Sequence, residues 1–326
     1  MKIYAFEVRE DELQDFENVK QRYNVEITTD SSRLDLDNID KVKGYEAITI
    51  LGHSYITREV ADKLVENGVK YVSTRTIGYN HIDVQYAKEV GLKVSNSGYA
   101  PNGVAEYTVM LMLMTLRNYK ASLYRGNCND YSLKGLQGRE LRNMTVGVIG
   151  TGRIGSCVIE NLKGFGCKIL AYDHAKKNTT TPGVKYAKLD ELLRNSDIIT
   201  LHTPLTDTTY HMINKRTLAK MKDGVIIINC ARGELMDVDD VIEAIENQKI
   251  GGMGLDVFEK EEGIYHEDRR SDIISNKEMA YIRQFPNVVM TQHMAFYTDT
   301  AVSDMVDYGV KGLVDFAEKG TCDFKL

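Results

Sequence analysis

A chain of 326 residues is too long for one ordinary core, so two domains of similar size are expected. Hydrophobic residues make up 43% and charged residues 27%, the balance of a soluble globular protein, and the formal net charge of −6 argues against a nucleic-acid or anionic-membrane surface. Residues 1–8 run straight into charged sequence without the apolar stretch of a signal peptide, which points to the cytoplasm.

Short β-rich runs alternate with helix-length segments along nearly the whole chain, the pattern of an α/β protein with parallel sheets. Strands are expected at 2–8, 47–51, 70–74 and 93–95, with helices at 11–23, 58–67 and 84–90 between them. Gly68 and Gly91 stand just past two of those helices, where a left-handed cap is needed. A long helix is expected over about 103–125. Its most apolar part, 104–116, contains Glu106 and Thr108 and is shorter than a membrane span, so it reads as buried. Six further strands follow, at 145–149, 168–172, 198–202, 225–229, 254–257 and 288–291, enough for a doubly wound sheet. The last segment, 300–326, reads as helix. The five cysteines, Cys128, Cys157, Cys167, Cys230 and Cys322, are scattered without a CxxC spacing, which suits free thiols better than a zinc site.

The first chemical motif lies where an apolar strand, Thr145-Val-Gly-Val-Ile149, runs into Gly150-Thr-Gly152-Arg153-Ile154-Gly155 and a helix. Strand, glycines and helix in that order are the context a dinucleotide-binding loop needs. Gly150 allows the tight turn, Gly152 lets a pyrophosphate approach the backbone, and Gly155 lets helix and strand pack closely. The helix N-terminus offers its N–H groups and dipole to the phosphates. Asp173 ends the next strand, eighteen residues after Gly155, where an acid bonds the adenosine ribose and repels a 2′-phosphate. NAD is therefore expected over NADP.

Three later strands end in polar residues, where an open α/β sheet places its ligand crevice. One ends in Asn229-Cys230-Ala231-Arg232-Gly233, the next carries Asp256 and Glu261, and the third ends in His293. The sequence at this point closely resembles the D-isomer-specific 2-hydroxyacid dehydrogenases. The likeness extends over almost the whole chain, through Arg75-Thr-Ile-Gly-Tyr-Asn-His-Ile-Asp83, Tyr99-Ala-Pro-Asn-Gly-Val-Ala-Glu106, the glycine loop, Arg232-Gly233, Asp256 and His293. Within the family it is most similar to the D-lactate and (R)-2-hydroxyisocaproate dehydrogenases.

That resemblance implies two Rossmann-like domains, a flavodoxin-like substrate domain of residues 1–99 and 297–326 and an NAD-binding domain of residues 100–296, with the active site in a cleft between them. It also implies an enzyme that reduces a small 2-oxo acid to its D-2-hydroxy acid with NADH and forms homodimers, helped by the helix at 104–116. Arg232 is the residue type that grips a planar carboxylate with two charge-assisted hydrogen bonds. His293 as imidazolium protonates the developing alkoxide, and Glu261 pairs with its other ring nitrogen. Asp256 is a supporting acid by resemblance. The backbone at Ile77 and Gly78 is expected to meet the substrate carboxylate, with Leu51, Tyr99 and Phe296 lining its side chain. His202, Pro204, Cys230, Ala231 and Asp256 are expected beside the cofactor together with the glycine loop. The remaining histidines, His53, His81, His174, His211 and His266, read as structural or surface residues, and no metal is needed.

The match is imperfect in places. Gln292 stands where relatives commonly have proline, Ala100 replaces a commoner serine, and Leu51 falls where some D-lactate enzymes carry tyrosine. Pyruvate is the first substrate expected; 2-oxoisocaproate, phenylpyruvate or 2-oxoglutarate are the alternatives. An NAD-sensing binding protein like the corepressors of this superfamily is the alternative of another class.

Overall fold

Four-residue strands in the first hundred residues assemble into one parallel sheet. They are β1 (Lys2–Ala5), β2 (Glu26–Thr29), β3 (Ala47–Ile50), β4 (Tyr71–Thr74) and the shorter β5 (Lys93–Ser95). The computed structural model describes residues 1–175 and 182–326. Across the sheet the order is β2-β1-β3-β4-β5, the doubly wound order of flavodoxin-like sheets. The crossover helices include α1 (Leu13–Tyr23), α2 (Arg58–Glu66) and α3 (Val84–Glu89). Local chemistry sets their ends. Thr57 caps α2 by accepting the Val60 N–H at 3.3 Å, Val60, Ala61 and Leu64 form its buried stripe, and Gly68 follows at φ +91°.

Both faces of this sheet are covered. Ile48, Ile50 and Val72 meet Val60 and Leu64 on one face. On the other, Ile3, Ala5 and Ala47 meet Val306, Val310 and Leu313 of the C-terminal helix Asp299–Lys319. Central strands of such a sheet have no wet face, which is why β3 is buried at all four positions. Residues Met1–Ala100 and Tyr297–Leu326 form one compact unit, and Pro101–Phe296 form the other.

The second unit begins with α4 (Asn102–Leu116) and α5 (Tyr119–Asn127). Its strands are β6 (Thr145–Ile149), β7 (Lys168–Tyr172), β8 (Val184–Tyr186), β9 (Ile198–Leu201), β10 (Val225–Asn229), β11 (Ile250–Leu255) and β12 (Val288–Met290). They form one parallel sheet in the order β12-β11-β10-β9-β6-β7-β8. The chain winds outward in both directions from β6, the Rossmann topology, and the crevice where the direction reverses lies at the carboxyl ends of β6 and β9. Helix α6 (Arg153–Lys163) follows β6 directly.

The structure differs from the sequence pattern at several elements. The second sheet has seven strands instead of six, and β2 and β8 are both unexpected edge strands. Strand β1 stops at Ala5, because Glu7 takes a left-handed φ of 55°. The helix expected over 103–125 is two helices, divided at Asn118. That residue sits at φ 49°, a conformation asparagine tolerates, and its amide donates to the Gln137 carbonyl at 3.1 Å. Strand β11 starts at Ile250, through glycines that let α4 approach: a Cβ on Gly252 would lie 2.6 Å from Thr115 Cγ2, and one on Gly254 3.0 Å from Leu111 Cβ. The final helix ends at Lys319, where Gly320 turns at φ +75°.

Glu7 also fixes the loop after β3. Its buried carboxylate accepts the N–H groups of Leu51 and His53, both at 2.9 Å, and the Ser54 hydroxyl at 2.5 Å. Burial opposes the charged form, but the hydrogen bonds from His53, Ser54 and Leu51 outweigh it and hold the pKa at about 2 against an ordinary 4.5. A carboxylate depressed in this way adds stability that is complete above the unfolded value and is lost as pH falls through the folded one. That fall in pKa corresponds to about 3 kcal/mol. Glu7→Gln should therefore flatten the stability-against-pH curve between about pH 4.5 and 2, measured by denaturant unfolding. Parallel curves for the two proteins would remove Glu7 from this role.

Candidate active site

Strand β10 ends in buried Asn229, whose side chain folds back over the turn that it begins. Its amide nitrogen donates to the Arg232 carbonyl at 2.7 Å, and its oxygen accepts the Ala231 N–H at 3.0 Å. This is an Asx-type turn, in which a short polar side chain stands in for backbone hydrogen bonding. It carries half-buried Arg232 beyond the strand end, with Nη1 donating to the Ala231 carbonyl at 2.6 Å. At Gly233 the turn meets another loop. A Cβ there would lie 2.1 Å from the Phe258 carbonyl carbon and 2.2 Å from the Glu259 nitrogen, so no side chain fits.

Asp256, fully buried just past the end of β11, organises the next strand end. Its carboxylate accepts the Thr291 hydroxyl at 2.6 Å and the N–H groups of Met294 and Ala295 at 3.0 and 2.8 Å. Its backbone carbonyl accepts the His293 N–H at 2.7 Å. His293 lies at φ +52°, where a residue with a side chain is uncommon and must be held by its surroundings. The four bonds to Asp256 hold it.

Glu261 completes the arrangement. One carboxylate oxygen accepts the Phe258 N–H at 2.6 Å, and the other lies 2.5 Å from Nδ1 of His293. An ionised carboxylate only accepts, so Nδ1 carries the proton and Nε2 is left to give or take one. The Phe296 ring stands edge-on to His293, 6.4 Å between centroids. Arg232, Asp256, Glu261 and His293 thus sit just beyond the carboxyl ends of three adjacent strands, β10, β11 and β12.

The glycine loop after β6 is equally specific. Gly150 lies at φ +89°, and a Cβ on it would be 2.4 Å from the His202 carbonyl oxygen. A Cβ on Gly155 would be 2.0 Å from the Gly150 oxygen, while one on Gly152 would meet nothing within 4 Å. Gly152 is also the N-cap of α6 and supplies no side-chain cap. Asp173 accepts the Thr151 N–H and hydroxyl at 2.7 and 2.8 Å, which seats its carboxylate against the loop. Burial lowers the His202 pKa to about 4, so its ring is neutral near pH 7, with Nε2 2.9 Å from the Thr200 hydroxyl. Burial likewise pushes the Cys230 thiol up, so it stays protonated.

Residues 109–295 match the family model for the D-isomer specific 2-hydroxyacid dehydrogenase, NAD binding domain. Over 311 residues the chain is 46% identical to an aromatic 2-oxoacid reductase of Clostridium sporogenes, covering 94% of this chain and 93% of that one. The chain belongs to the D-isomer-specific 2-hydroxyacid dehydrogenases. The dehydrogenase is also 39% identical to a D-lactate dehydrogenase of Lactiplantibacillus plantarum over 309 residues, 94% of this chain and 93% of that one. It superposes on a solved D-2-hydroxyisocaproate dehydrogenase with a TM-score of 0.91 and 32% identity, covering 100% and 99% of the two chains. It is an NAD-dependent oxidoreductase of α/β fold with two Rossmann-like units, as the motif order implies.

The residues of this dehydrogenase fit NAD. The open space at Gly152, before the α6 N-terminus, leaves room for a pyrophosphate, and the Asp173 charge disfavours a 2′-phosphate. Other expected site residues belong to the first unit. The carbonyls of Ile77 and Gly78 accept from the Asn96 amide (2.7 Å) and the Thr76 hydroxyl (2.6 Å). Among the described residues, their N–H groups have no hydrogen-bond partner. Leu51 and Tyr99 are half-buried, and Pro204 is exposed. Asn229 and Thr291, which hold the Arg232 turn and Asp256, were not among the expected site residues; an asparagine closing an apolar strand before a turn was the available signal. Among the described residues, no group of three His, Cys, Asp or Glu side chains is placed to hold a metal ion, and no helix is long and apolar enough to cross a membrane.

Proposed function

We propose that this dehydrogenase reduces a 2-oxo acid with a bulky apolar side chain, aromatic or branched, to the D-2-hydroxy acid. The observation that carries the reaction is the Glu261–His293 pair, 2.5 Å apart, beyond β11 and β12, which lie in the sheet beside β10, the strand that presents Arg232. NADH, when bound, supplies the hydride to the carbonyl carbon. His293, as imidazolium, gives its Nε2 proton to the oxygen as charge develops there, and Glu261 stabilises and orients the ring. Arg232 holds the substrate carboxylate with two parallel N–H bonds and polarises the ketone. The N–H groups of Ile77 and Gly78, without a partner among the described residues, are suited to an anionic group. Asp256 acts through the backbone that it holds. Gly150, Gly152, Arg153, Ile154 and Gly155 take the pyrophosphate, Asp173 the adenosine ribose, and His202, Pro204, Cys230 and Ala231 line the rest of the cofactor.

The sequence alone favoured pyruvate. The greater identity to a relative named for aromatic 2-oxo acids than to one named for D-lactate supports the larger acid, as does Leu51, an apolar side chain without a hydroxyl. The test is NADH oxidation with pyruvate, 2-oxoisocaproate, phenylpyruvate and 2-oxoglutarate. Several extra apolar carbons held in a pocket should raise kcat/KM for phenylpyruvate or 2-oxoisocaproate by about tenfold or more over pyruvate. A lead for pyruvate would make the protein a D-lactate dehydrogenase. Inactivity on all four with NADH binding intact would favour the binding-protein alternative.

We also infer a homodimer, on a surface other than the one expected. Helix α4 buries most of its apolar side chains within its own unit. Strongly exposed apolar residues follow it closely in the chain, on α5 and beyond: Tyr124 at 72%, Tyr131 at 78% and Leu133 at 83% exposure. Exposed apolar side chains this close together in the chain suit an interaction surface. Leu133→Asp should shift sedimentation from dimer toward monomer; a wild-type monomer would end this reading.

A further inference from the structure

A second histidine stands beside the Glu261–His293 pair. His266 Nε2 lies 3.1 Å from the backbone carbonyl oxygen of His293, and because a carbonyl only accepts, His266 is the donor. Its ring centroid is 6.0 Å from that of His293 and 6.3 Å from that of Phe296. The turn that presents it grows out of Glu261, whose carbonyl accepts the N–H groups of Ile264 and Tyr265 at 3.0 and 3.1 Å. His266 itself lies at φ +64°.

The two peptide groups of His293 are held from different directions. On its amino side, the His293 N–H donates to the Asp256 carbonyl; on its carboxyl side, the Asp256 carboxylate takes the N–H groups of Met294 and Ala295, the first of which shares a peptide group with the His293 carbonyl. Among the described residues, the donor to the His293 carbonyl is His266. A left-handed residue with a side chain rests in a shallow well, so losing the carbonyl donor leaves this peptide tied through the Met294 N–H alone, able to pivot about that bond and carry the ring with it. The Nδ1 bond to Glu261 would then lengthen, and Nε2 would lose its aim.

We propose that His266 is a positioning residue, which clamps the carbonyl of His293 and with Asp256 holds the catalytic imidazole at its working angle. This rests on the role proposed above for His293. The test compares His266→Phe, which keeps a ring beside Phe296 and removes the donor, with His266→Gln, which returns an N–H at similar reach. His266→Phe should lower kcat roughly 5- to 10-fold, the worth of one lost hydrogen bond, and leave the substrate KM and NADH Kd within about twofold. His266→Gln should recover most of the loss. Independently of turnover, the His293 Nδ1 proton bonded to Glu261 should give a far-downfield NMR resonance, assigned by its absence in His293→Gln. It should be sharp in the wild type and in His266→Gln, and broadened away in His266→Phe. A wild type lacking this resonance, a Phe variant retaining it, or equal loss in both variants would overturn the proposal. If His266→Phe fails to fold, His266→Leu replaces it as the donor-free side chain, and if His266→Gln fails, His266→Asn replaces it as the donor. Wild-type inactivity on every 2-oxo acid would sink the proposed function, while the resonance would still decide the role of His266.

Discussion

His293→Ala is expected to lower kcat by about 10²–10⁴-fold, the usual worth of a positioned general acid, with NADH affinity unchanged. Hydride addition leaves charge on the substrate oxygen, and without the imidazolium that charge must wait for a proton from water. The substitution has a second effect that must be separated from the first. Position 293 lies at φ +52°, where alanine costs about 1–2 kcal/mol of backbone strain, so the loop itself can shift. Asparagine tolerates this conformation far better, and His293→Asn keeps the backbone that Asp256 binds while removing the titratable ring. If proton donation is the role of His293, both variants lose activity to a similar degree. If alanine alone is inactive, the histidine serves the loop rather than the chemistry. Only a few-fold loss in both would mean that another group donates the proton, and Glu261 would become a structural acid tied to the Phe258 N–H.

What the sequence disclosed depended on how directly a residue's chemistry determines its position. Strands β3, β6, β9 and β10 are buried along nearly their whole length, and central strands of a parallel sheet can only be written in apolar residues. The edge strands β2 and β8 have one neighbour each. Glu26-Ile-Thr-Thr29 buries only Ile27 and is no different in composition from a loop. The start of β11 was hidden by glycines that lower strand propensity, although α4 requires them for its close approach.

The site divides along similar lines. Arg232 and His293 were legible because a carboxylate fork and a proton donor near neutrality leave few residue types to choose from. Glu261 lies in an acidic run from Glu259 to Glu262 that would ordinarily be a solvated face. The family register selected it, and the structure brings it to 2.5 Å from His293. Asp256 was legible as an acid but not in what it holds. Its partners Thr291, Met294 and Ala295 lie 35 or more residues away in sequence, and only the pairing of β11 with β12 brings them together. His266 was hidden for the same reason, since its partner is a backbone carbonyl, which has no sequence signature.

Arg232→Lys is expected to cut kcat/KM by about 10²–10³-fold, with NADH binding preserved. The positive charge survives, so the substrate carboxylate is still attracted; what is lost is the fork. The guanidinium can donate through Nη1 to the Ala231 carbonyl, as it does at 2.6 Å, and still offer parallel N–H groups to a planar acid. A lysine ammonium is a single centre and cannot keep both contacts in that geometry. The surroundings leave little room to compensate. Asn229 pins the turn at Ala231 and Arg232, and Gly233 packs so closely on the Phe258–Glu259 peptide that the turn cannot advance without moving the loop that bears Glu261. A reacting carbonyl displaced by about 1 Å from the incoming hydride costs roughly 10² in rate, so most of the loss should appear in kcat rather than in KM alone. If KM rises with kcat unchanged, Arg232 supplies attraction but not alignment. If turnover stays near normal, Arg232 does not hold the substrate carboxylate.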